Sequence, residues 1–204
     1  MVTSDVAEIR RRYESIREEV GPGVTVVVAT KYVSVEELAL LADAGVEVVG
    51  ENRVQDLAAK HERYGDSFRW HFIGHLQSRK AKDVSRLCEL CHSLASSSAL
   101  RRLTIPALVE VNLSAESSKS GIPKAELSGF LAEAEEHRVE VRGLMTMPPL
   151  ADDPEASRPF FSELRELAAE HGLPELSMGT SQDYRVAVEE GATLVRVGSV
   201  VFGR

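Results

Sequence analysis

The amino-acid sequence predicts an α/β protein: one domain over residues 1–204, folded as a (β/α)8 barrel of the TIM type with an extra N-terminal helix. Short apolar, β-branched runs recur along the chain, and stretches with helical periodicity separate most of them. Strand–helix units in series favour a parallel sheet, and eight of them favour a closed barrel. The alternative is an open doubly wound sheet, but its G-x-G-x-x-G signature is absent.

Each strand is predicted from its own run of residues. Residues 3–20 are expected to form the extra helix, which packs outside the first strand. That strand, Val24–Thr30, is almost continuously β-branched, as expected of a parallel strand buried on both faces. Seven similar runs follow it: Glu47–Gly50, Arg69–Gly74, Leu90–Ala95, Ala107–Leu113, Val141–Met147, Leu176–Thr180 and Leu194–Val197.

The helices between the strands are predicted from apolar periodicity and from their end signals. Ser34 and Glu37 have the spacing of a capping box, and Gly45 is a stop signal for the helix they begin. The stretch Ser96–Ala107 is about ten residues too short for a full helix between two strands, so a trimmed helix is one expectation there. The clearest helical stretches are Ser34–Ala44, Lys124–His137, Pro154–His171 and Gln182–Glu190.

Composition and charge exclude several classes of function. The formal net charge of −8 argues against a nucleic-acid partner, because phosphate backbones are held mainly by Lys and Arg. The first residues lack the basic and apolar regions of a signal peptide, and no apolar run is long enough to span a membrane. We therefore expect a cytoplasmic protein without a membrane partner.

Two cysteines stand in Cys88-Glu-Leu-Cys91-His92, which formally matches the haem-attachment pattern. The pattern is short, and neither an export signal nor a second ligand pair for zinc accompanies it. The structural interpretation is favoured: Cys88 ends a helix and Cys91 enters a buried strand.

Chemistry in such a barrel belongs at the carboxyl ends of the strands, where the sequence places one lysine. Lys31 follows a run of apolar or small residues, which puts its ammonium within or at the rim of the core. A desolvated lysine is a nucleophile suited to Schiff-base chemistry. The competing interpretation is a lysine that reaches out to water.

A phosphate site is predicted beside this lysine. Ser177-Met-Gly-Thr-Ser181-Gln-Asp183 offers backbone N–H groups and hydroxyls, although Ser181 or Asp183 would serve equally as an ordinary helix cap. Gly198-Ser199 adds donors next to it. Arg196, if it faces inward, is a buried charge that needs a ligand or a carboxylate such as Glu51 as its partner. A lysine with a nearby phosphate site describes either a pyridoxal phosphate (PLP) protein or a phosphosugar aldolase.

A set of motifs follows in order from residue 24 to the C-terminus: Ala29-Thr-Lys31, Gly50-Glu-Asn-Arg-Val-Gln55, Trp70-His-Phe-Ile-Gly-His-Leu-Gln77, Val111-Asn-Leu113, Lys119-Ser-Gly121, Gly143-Leu-Met-Thr-Met-Pro148, Ser177-Met-Gly-Thr-Ser-Gln-Asp183, Val195-Arg-Val-Gly198 and Phe202-Gly203. This ordered set resembles the pyridoxal phosphate homeostasis proteins, relatives of the N-terminal barrel of alanine racemase.

The resemblance implies a PLP fold-type III-like barrel with PLP as its cofactor. Lys31 would hold PLP as an internal aldimine, and Arg196 would face the pyridine nitrogen. The other implied cofactor-binding residues are Ser181, Gly198 and Ser199 at the phosphate, and Asn52, His71 and Met145 around the ring. Departures from the family pattern are Thr180, Arg79 and Arg185.

The function implied is a monomeric carrier that buffers PLP and supports vitamin B6 and amino-acid homeostasis without efficient catalysis. Arg196 would keep the ring nitrogen unprotonated, which weakens the ring as an electron sink. The chain ends at Arg204, and no second domain supplies the opposing base of a racemase. Amino acids and apo-enzymes that accept PLP are the expected partners. An amino-acid racemase and a PLP-independent, class I aldolase-like enzyme are the alternatives.

Overall fold

The computed structural model describes residues 5–114, 116 and 120–203. Its main strands are β1 Thr25–Ala29, β2 Val48–Glu51, β3 Arg69–Phe72, β4 Leu90–Leu94, β5 Ala107–Asn112, β7 Val141–Met145, β8 Glu175–Thr180 and β9 Leu194–Val197. Their order around the sheet is β4-β3-β2-β1-β9-β8-β7-β5, and β5 pairs back with β4. All of these pairings are parallel, so the predicted eight-stranded closed barrel is confirmed. A two-residue strand, β6 Ile122–Pro123, pairs with the end of β5 outside the ring.

Helices separate the barrel strands in sequence. Their bounds are α1 Val6–Val20, α2 Leu38–Asp43, α3 Val54–Tyr64, α4 Ala81–Leu87, α5 Ser97–Leu100, α6 Leu127–Glu136, α7 Arg158–Glu170, α8 Tyr184–Glu189 and α9 Ser199–Phe202. Helix α2 is shorter than predicted, but the capping box before it is present. The Ser34 amide donates to Glu37 Oε2 at 2.8 Å, and the Glu37 amide donates to Ser34 Oγ at 3.2 Å. Within the described ranges, no helix is long and apolar enough to cross a membrane.

The extra N-terminal helix α1 is amphipathic, and its inner face packs on other helices. Its buried residues Ile9, Tyr13, Ile16 and Val20 recur at intervals of three or four positions. They pack toward α2, α8 and α9, which flank the point where β1 meets β9. Helix α1 therefore covers the seam between the first and last strands of the barrel.

The connection between β4 and β5 is the trimmed helix that its length suggested. Helix α5 has four residues, and Ser96 caps it by accepting a hydrogen bond from the Ala99 amide at 3.3 Å. Ala99 and Leu100 are fully buried. One helical turn therefore supplies the apolar cover that a longer helix provides elsewhere around the barrel.

The apolar residues inside the barrel form a thin middle layer. This layer consists of Val27, Val48, Leu90, Leu108, Met145 and Leu194, and it is separate from the larger core between strands and helices. Polar side chains pass through it or lie on either side of it, among them His92, Ser177 and Arg196. The interior is therefore able to carry polar contacts between its two ends.

Candidate functional site

A cavity of about 710 Å³ opens at the carboxyl ends of the strands, and we call it the upper cavity. Seven of the eight predicted site residues line it: Lys31, Asn52, Met145, Ser181, Arg196, Gly198 and Ser199. They come from the ends of β1, β2, β7, β8 and β9, as expected for this fold. The eighth, His71, does not line it.

Lys31 lies at the rim of the upper cavity and is exposed to solvent. Its Nζ sits 4.8 Å from the centroid of the Tyr32 ring, within the range of a cation–π contact. Of the two positions that the sequence allowed, within the core or at its rim, the structure shows the rim. Activation by burial therefore does not apply to Lys31 in this structure, although its amine is free to reach a ligand.

Asn52 carries a buried polar atom that has no hydrogen-bond partner among the described residues. The atom is its side-chain oxygen, and the residue lines the upper cavity. Gly74 allows the chain to pass this close, because a Cβ there would lie 2.1 Å from the Asn52 carbonyl oxygen. A buried acceptor left unpaired costs about 1–3 kcal/mol, so its position against a cavity points to a ligand that donates to it.

Arg196 faces into the barrel and is almost fully buried. Its Nη1 donates to Ser177 Oγ, and its Nη2 donates to the Thr146 carbonyl oxygen at 3.0 Å and to Met147 Sδ at 2.9 Å. None of these three acceptors is a carboxylate. Burial lowers the pKa of the guanidinium to about 10, while Glu110 and Asp183 oppose that shift from a distance. A guanidinium has five N–H groups, so donors remain for a ligand.

Glu51, the carboxylate considered as a partner of Arg196, is bound elsewhere. Its Oε1 accepts from Lys60 Nζ and, at 2.7 Å, from Thr30 Oγ1; its Oε2 accepts from the Asn52 amide at 3.1 Å. Lys60 Nζ also donates to the Thr30 carbonyl oxygen at 2.8 Å. This buried ion pair therefore fixes the backbone at the ends of the neighbouring strands β1 and β2, directly before Lys31 and at Asn52.

The loop after β8 supplies the predicted anion-binding groups. Gly179 has φ +90°, and a Cβ there would lie 2.6 Å from the Ala187 Cβ, so the turn requires glycine. Asp183 accepts from the amide of Thr180 at 2.7 Å and from its hydroxyl at 2.9 Å. Thr180 is one of the departures from the family pattern, and its hydroxyl helps to hold this loop. The Ser181 hydroxyl accepts from the Gly198 amide at 3.0 Å. Ser181, Gly198 and Ser199 are thus assembled beside one another.

Asp183 is not an ordinary side-chain cap, which was the competing interpretation of this loop. It stands at the cap position of α8 without a capping side-chain bond. Its other oxygen accepts from Ser157 Oγ at 2.7 Å. The carboxylate therefore anchors the loop to the start of α7.

Sequence reasoning missed several residues that line the upper cavity. Glu110 is buried and points inward from β5, where Ser120 donates a hydrogen bond to it. A carboxylate within an apolar strand, at the inward register, was a signal that could have found it. Tyr32 is another such residue, while His75, Met147 and Gln182 also line the cavity and belong to motifs already singled out from the sequence. Lys119, in a motif that carried the resemblance, lies outside the described residues.

The expectation that His71 surrounds the ligand ring is corrected by the structure. His71 lines a second cavity of about 430 Å³, which we call the basal cavity because it contains residues from the amino-terminal ends of the strands. His71 Nδ1 lies 2.9 Å from His92 Nε2, and His71 Nε2 lies 2.9 Å from Glu89 Oε1. The residue pairs with Gly50 and Leu90, in the body of β3 and before its carboxyl end.

The cysteines have the structural positions predicted for them. Cys88 caps the end of α4, Cys91 lies in β4, and both are free and buried. Burial raises the pKa of the Cys91 thiol to about 11 and that of Cys88 still further. Within the described ranges, no group of His, Cys, Asp and Glu is arranged to hold a metal ion. Arg185, another departure from the family pattern, pairs with Glu19 at 2.8 Å.

The closed barrel carries a lysine at the end of its first strand and an arginine inside its last strand. The class of protein with this arrangement is given by a family match. The family described as "Alanine racemase, N-terminal domain" matches residues 4–204. An alanine racemase from Corynebacterium glutamicum has the same fold, with a TM-score of 0.76 and 17% identity over 98% of this chain and 61% of that chain.

More similar relatives narrow the class. The pyridoxal phosphate homeostasis protein of Aquifex aeolicus is 37% identical over 97% of this chain and 96% of its own. That of Escherichia coli K12 is 31% identical over 99% and 96%. The structure of PipY from Synechococcus elongatus with PLP bound has a TM-score of 0.88 and 32% identity, covering 96% of this chain and all of that one. This chain belongs to the pyridoxal phosphate homeostasis protein family.

Proposed function

We propose that this chain binds PLP in the upper cavity through Lys31 and carries or buffers it, without efficient turnover. The observation that carries the proposal is the convergence, in one cavity, of an exposed lysine amine, a buried guanidinium and a loop of hydroxyl and amide donors. When bound, PLP supplies an aldehyde that condenses with a primary amine, and water is released. The relatives named above support this ligand. The monomeric state and the cytoplasmic location stay predictions.

The residues of the upper cavity fit such a ligand group by group. Ser181, Gly198 and Ser199 present hydroxyl and amide groups suited to a phosphate. The guanidinium of Arg196 would face the pyridine nitrogen, and the unpaired oxygen of Asn52 would accept from a donor on the ring. Met145 adds an apolar wall, so the phosphate, the ring nitrogen and a donor on the ring would each face a suited group.

Two features of the cavity favour carriage over catalysis. A guanidinium beside the ring nitrogen disfavours protonation of that nitrogen, which leaves the ring a weak electron sink. The mouth is also open: the side chains of Tyr32 and Met147 at its edge are 77% and 47% exposed. Because efficient carbanion chemistry needs excluded water, this geometry suits exchange of the ligand better.

Amino-acid racemisation is the second candidate, and two titratable side chains favour testing it. His75 and Glu110 line the upper cavity in addition to Lys31. A racemase requires a second base across the substrate carbon from the lysine. Exchange of the α-hydrogen of alanine in D2O at enzymatic rates, lost in Lys31→Ala, would replace the carrier assignment with that of an enzyme.

The carrier proposal is tested by absorbance spectra of the protein mixed with PLP. We expect wild type to develop a visible band that Lys31→Ala lacks, because Lys31 is the lysine that lines this cavity within the described part of the chain. Borohydride should then fix the cofactor's mass on the peptide that contains Lys31. Lys82→Ala, which removes an exposed lysine of α4, is the control and should behave as wild type.

Two results would overturn the proposal. One is a band of equal strength in Lys31→Ala. The other is no band in wild type together with a borohydride-trapped phosphosugar on Lys31, which would favour the aldolase-like enzyme instead.

A further inference from the structure

A line of hydrogen-bonded side chains runs through the inside of the barrel from the basal cavity to the upper cavity. It begins at Glu89, passes through His71, His92 and Ser177, and ends at Arg196. The distances along it are 2.9 Å from Glu89 to His71, 2.9 Å between the two imidazoles and 2.8 Å from His92 to Ser177. Ser177 then accepts from Arg196 Nη1. We call this set the axial chain.

The two ends of the axial chain fix the direction of its first and last hydrogen bonds. A guanidinium has only donors, so Ser177 Oγ accepts from Arg196. A carboxylate has only acceptors, and contact with His71 and Arg69 lowers the pKa of Glu89 to about 2, so Glu89 accepts from His71 Nε2 at neutral pH.

The remaining bonds follow when both imidazoles are neutral. His71 carries its proton on Nε2, so its Nδ1 must accept from His92 Nε2. His92 Nδ1 then has no proton and accepts from the Ser177 hydroxyl. The pKa of His92 lies well below its ordinary value, chiefly because the ring is fully buried, which agrees with a neutral ring.

The direction of the axial chain matters for Arg196. A hydroxyl that donates to a histidine becomes a better acceptor, so Ser177 holds the guanidinium more firmly while His92 accepts from it. A proton placed on His71 Nδ1 would reverse the bonds: His92 Nδ1 would donate to Ser177, and the hydroxyl hydrogen would need another acceptor. The charged groups around His71 are Arg69 and Glu89 beside it, with Arg142 and Glu175 lining the same basal cavity.

We propose that Ser177, His92, His71 and Glu89 are positioning residues for Arg196, acting on the upper cavity from the opposite end of the barrel. This inference rests on the proposed function, because its consequence is the affinity for PLP. Glu89 is a partly exposed side chain that lines the basal cavity. Under this inference it helps to determine the affinity for PLP, although it does not line the upper cavity.

The direction of the chain is tested in the protein without PLP. Long-range ¹H–¹⁵N spectra of histidine-labelled protein at pH 7.5 should show both His71 and His92 as neutral rings protonated on Nε2. His71→Asn and His92→Gln assign the signals. A proton on Nδ1 of either ring, or a charged ring, would overturn the inference.

The positioning role is tested by PLP affinity in two matched pairs of variants. Glu89→Gln removes the charge that fixes the direction, while Glu175→Gln makes the same change in the same cavity without a hydrogen bond to the axial chain in the described structure. We expect the first to weaken binding about threefold, a fraction of one charge-assisted hydrogen bond, and the second to leave it unchanged.

The second pair separates positioning from packing within the core. His92→Leu fills the space but passes on no hydrogen bond, and should weaken PLP binding about tenfold, near the value of one hydrogen bond to a charged group. His92→Gln can accept from Ser177 and donate to His71, and should retain affinity within about threefold. Failure of wild type to bind PLP would overturn the proposed function, while the spectra would still decide the direction of the chain. Wild-type binding with equal affinities in Glu89→Gln and His92→Leu would overturn the positioning role.

Discussion

Asn52 shows at the scale of one residue how a binding site departs from the rules of a stable interior. A buried amide oxygen that nothing in the described structure pairs with destabilises the fold, whereas its backbone amide is well held by Glu51. Such strain is tolerated where a ligand relieves it. The unpaired oxygen therefore lowers the stability of the protein without ligand, and a hydrogen bond from a ligand stabilises the complex.

This reasoning predicts opposite effects of Asn52→Leu on the two states. The unbound protein should keep its melting temperature or gain a few degrees, since the unpaired acceptor worth about 1–3 kcal/mol is removed. The additional rise on adding PLP should be smaller than in wild type. Thermal unfolding with and without saturating PLP measures both quantities.

Asn112→Leu is the comparison for that experiment. Asn112 makes hydrogen bonds to Ser114 and to the Glu116 carbonyl oxygen, so its loss should lower the melting temperature of the unbound protein instead. A clear fall in the stability of unbound Asn52→Leu would contradict the interpretation of its oxygen as unpaired.

Helix α3 contributes to the site at the scale of the element. Lys60 lies three residues after the buried Leu57, on the inner face of the helix, and reaches both Glu51 and the backbone of Thr30. Breaking a buried ion pair from one side leaves an uncompensated charge and costs about 3–5 kcal/mol. Helix α3 thus ties the ends of β1 and β2 to each other.

We predict that Lys60→Met destabilises the protein by about 3–5 kcal/mol, and that adding Glu51→Gln recovers part of the loss because no buried charge is then left alone. Urea denaturation of wild type, both single variants and the double variant gives the coupling energy. Additive losses in the double variant would show that the pair does not act as a unit. Arg63→Met, which removes the exposed partner of Glu36, should have little effect.

The strands were predictable because each belongs to a short, largely apolar run between helical or turn segments, and all eight lie where the runs do. The lysine and the loop after β8 were predictable because the fold places strand ends at one face. His71 was not, because its height along the barrel axis depends on how β3 is staggered against β2 and β4, which the residues of β3 alone do not reveal. Lys60 was missed because a lysine in a helix is ordinarily expected at the surface, despite its spacing from Leu57.

At the scale of the whole molecule, the polar interior of the barrel sets how stability depends on pH. His92 is fully buried, and burial together with the positive Arg196 keeps its pKa well below the ordinary value of a histidine. In the unfolded chain the same ring takes up a proton near pH 6.5. Below that pH the unfolded state binds more protons than the folded one, so acid favours unfolding.

We therefore predict that the free energy of unfolding falls by up to about 1.4 kcal/mol per pH unit as the pH drops below about 6.5, the slope for one proton. A second fall begins below about pH 4.3, the unfolded value for a glutamate, because folding lowers the pKa of Glu89 to about 2 and its stabilisation is lost as that carboxylate takes up a proton. Denaturant titrations at half-unit pH steps measure both phases. His92→Gln should flatten the first phase whatever its stability at pH 7, while His137→Gln, at an exposed position after α6, should leave it intact. An unchanged slope in His92→Gln would assign the acid sensitivity to other groups and would contradict the interpretation of His92 as a neutral ring in the folded protein.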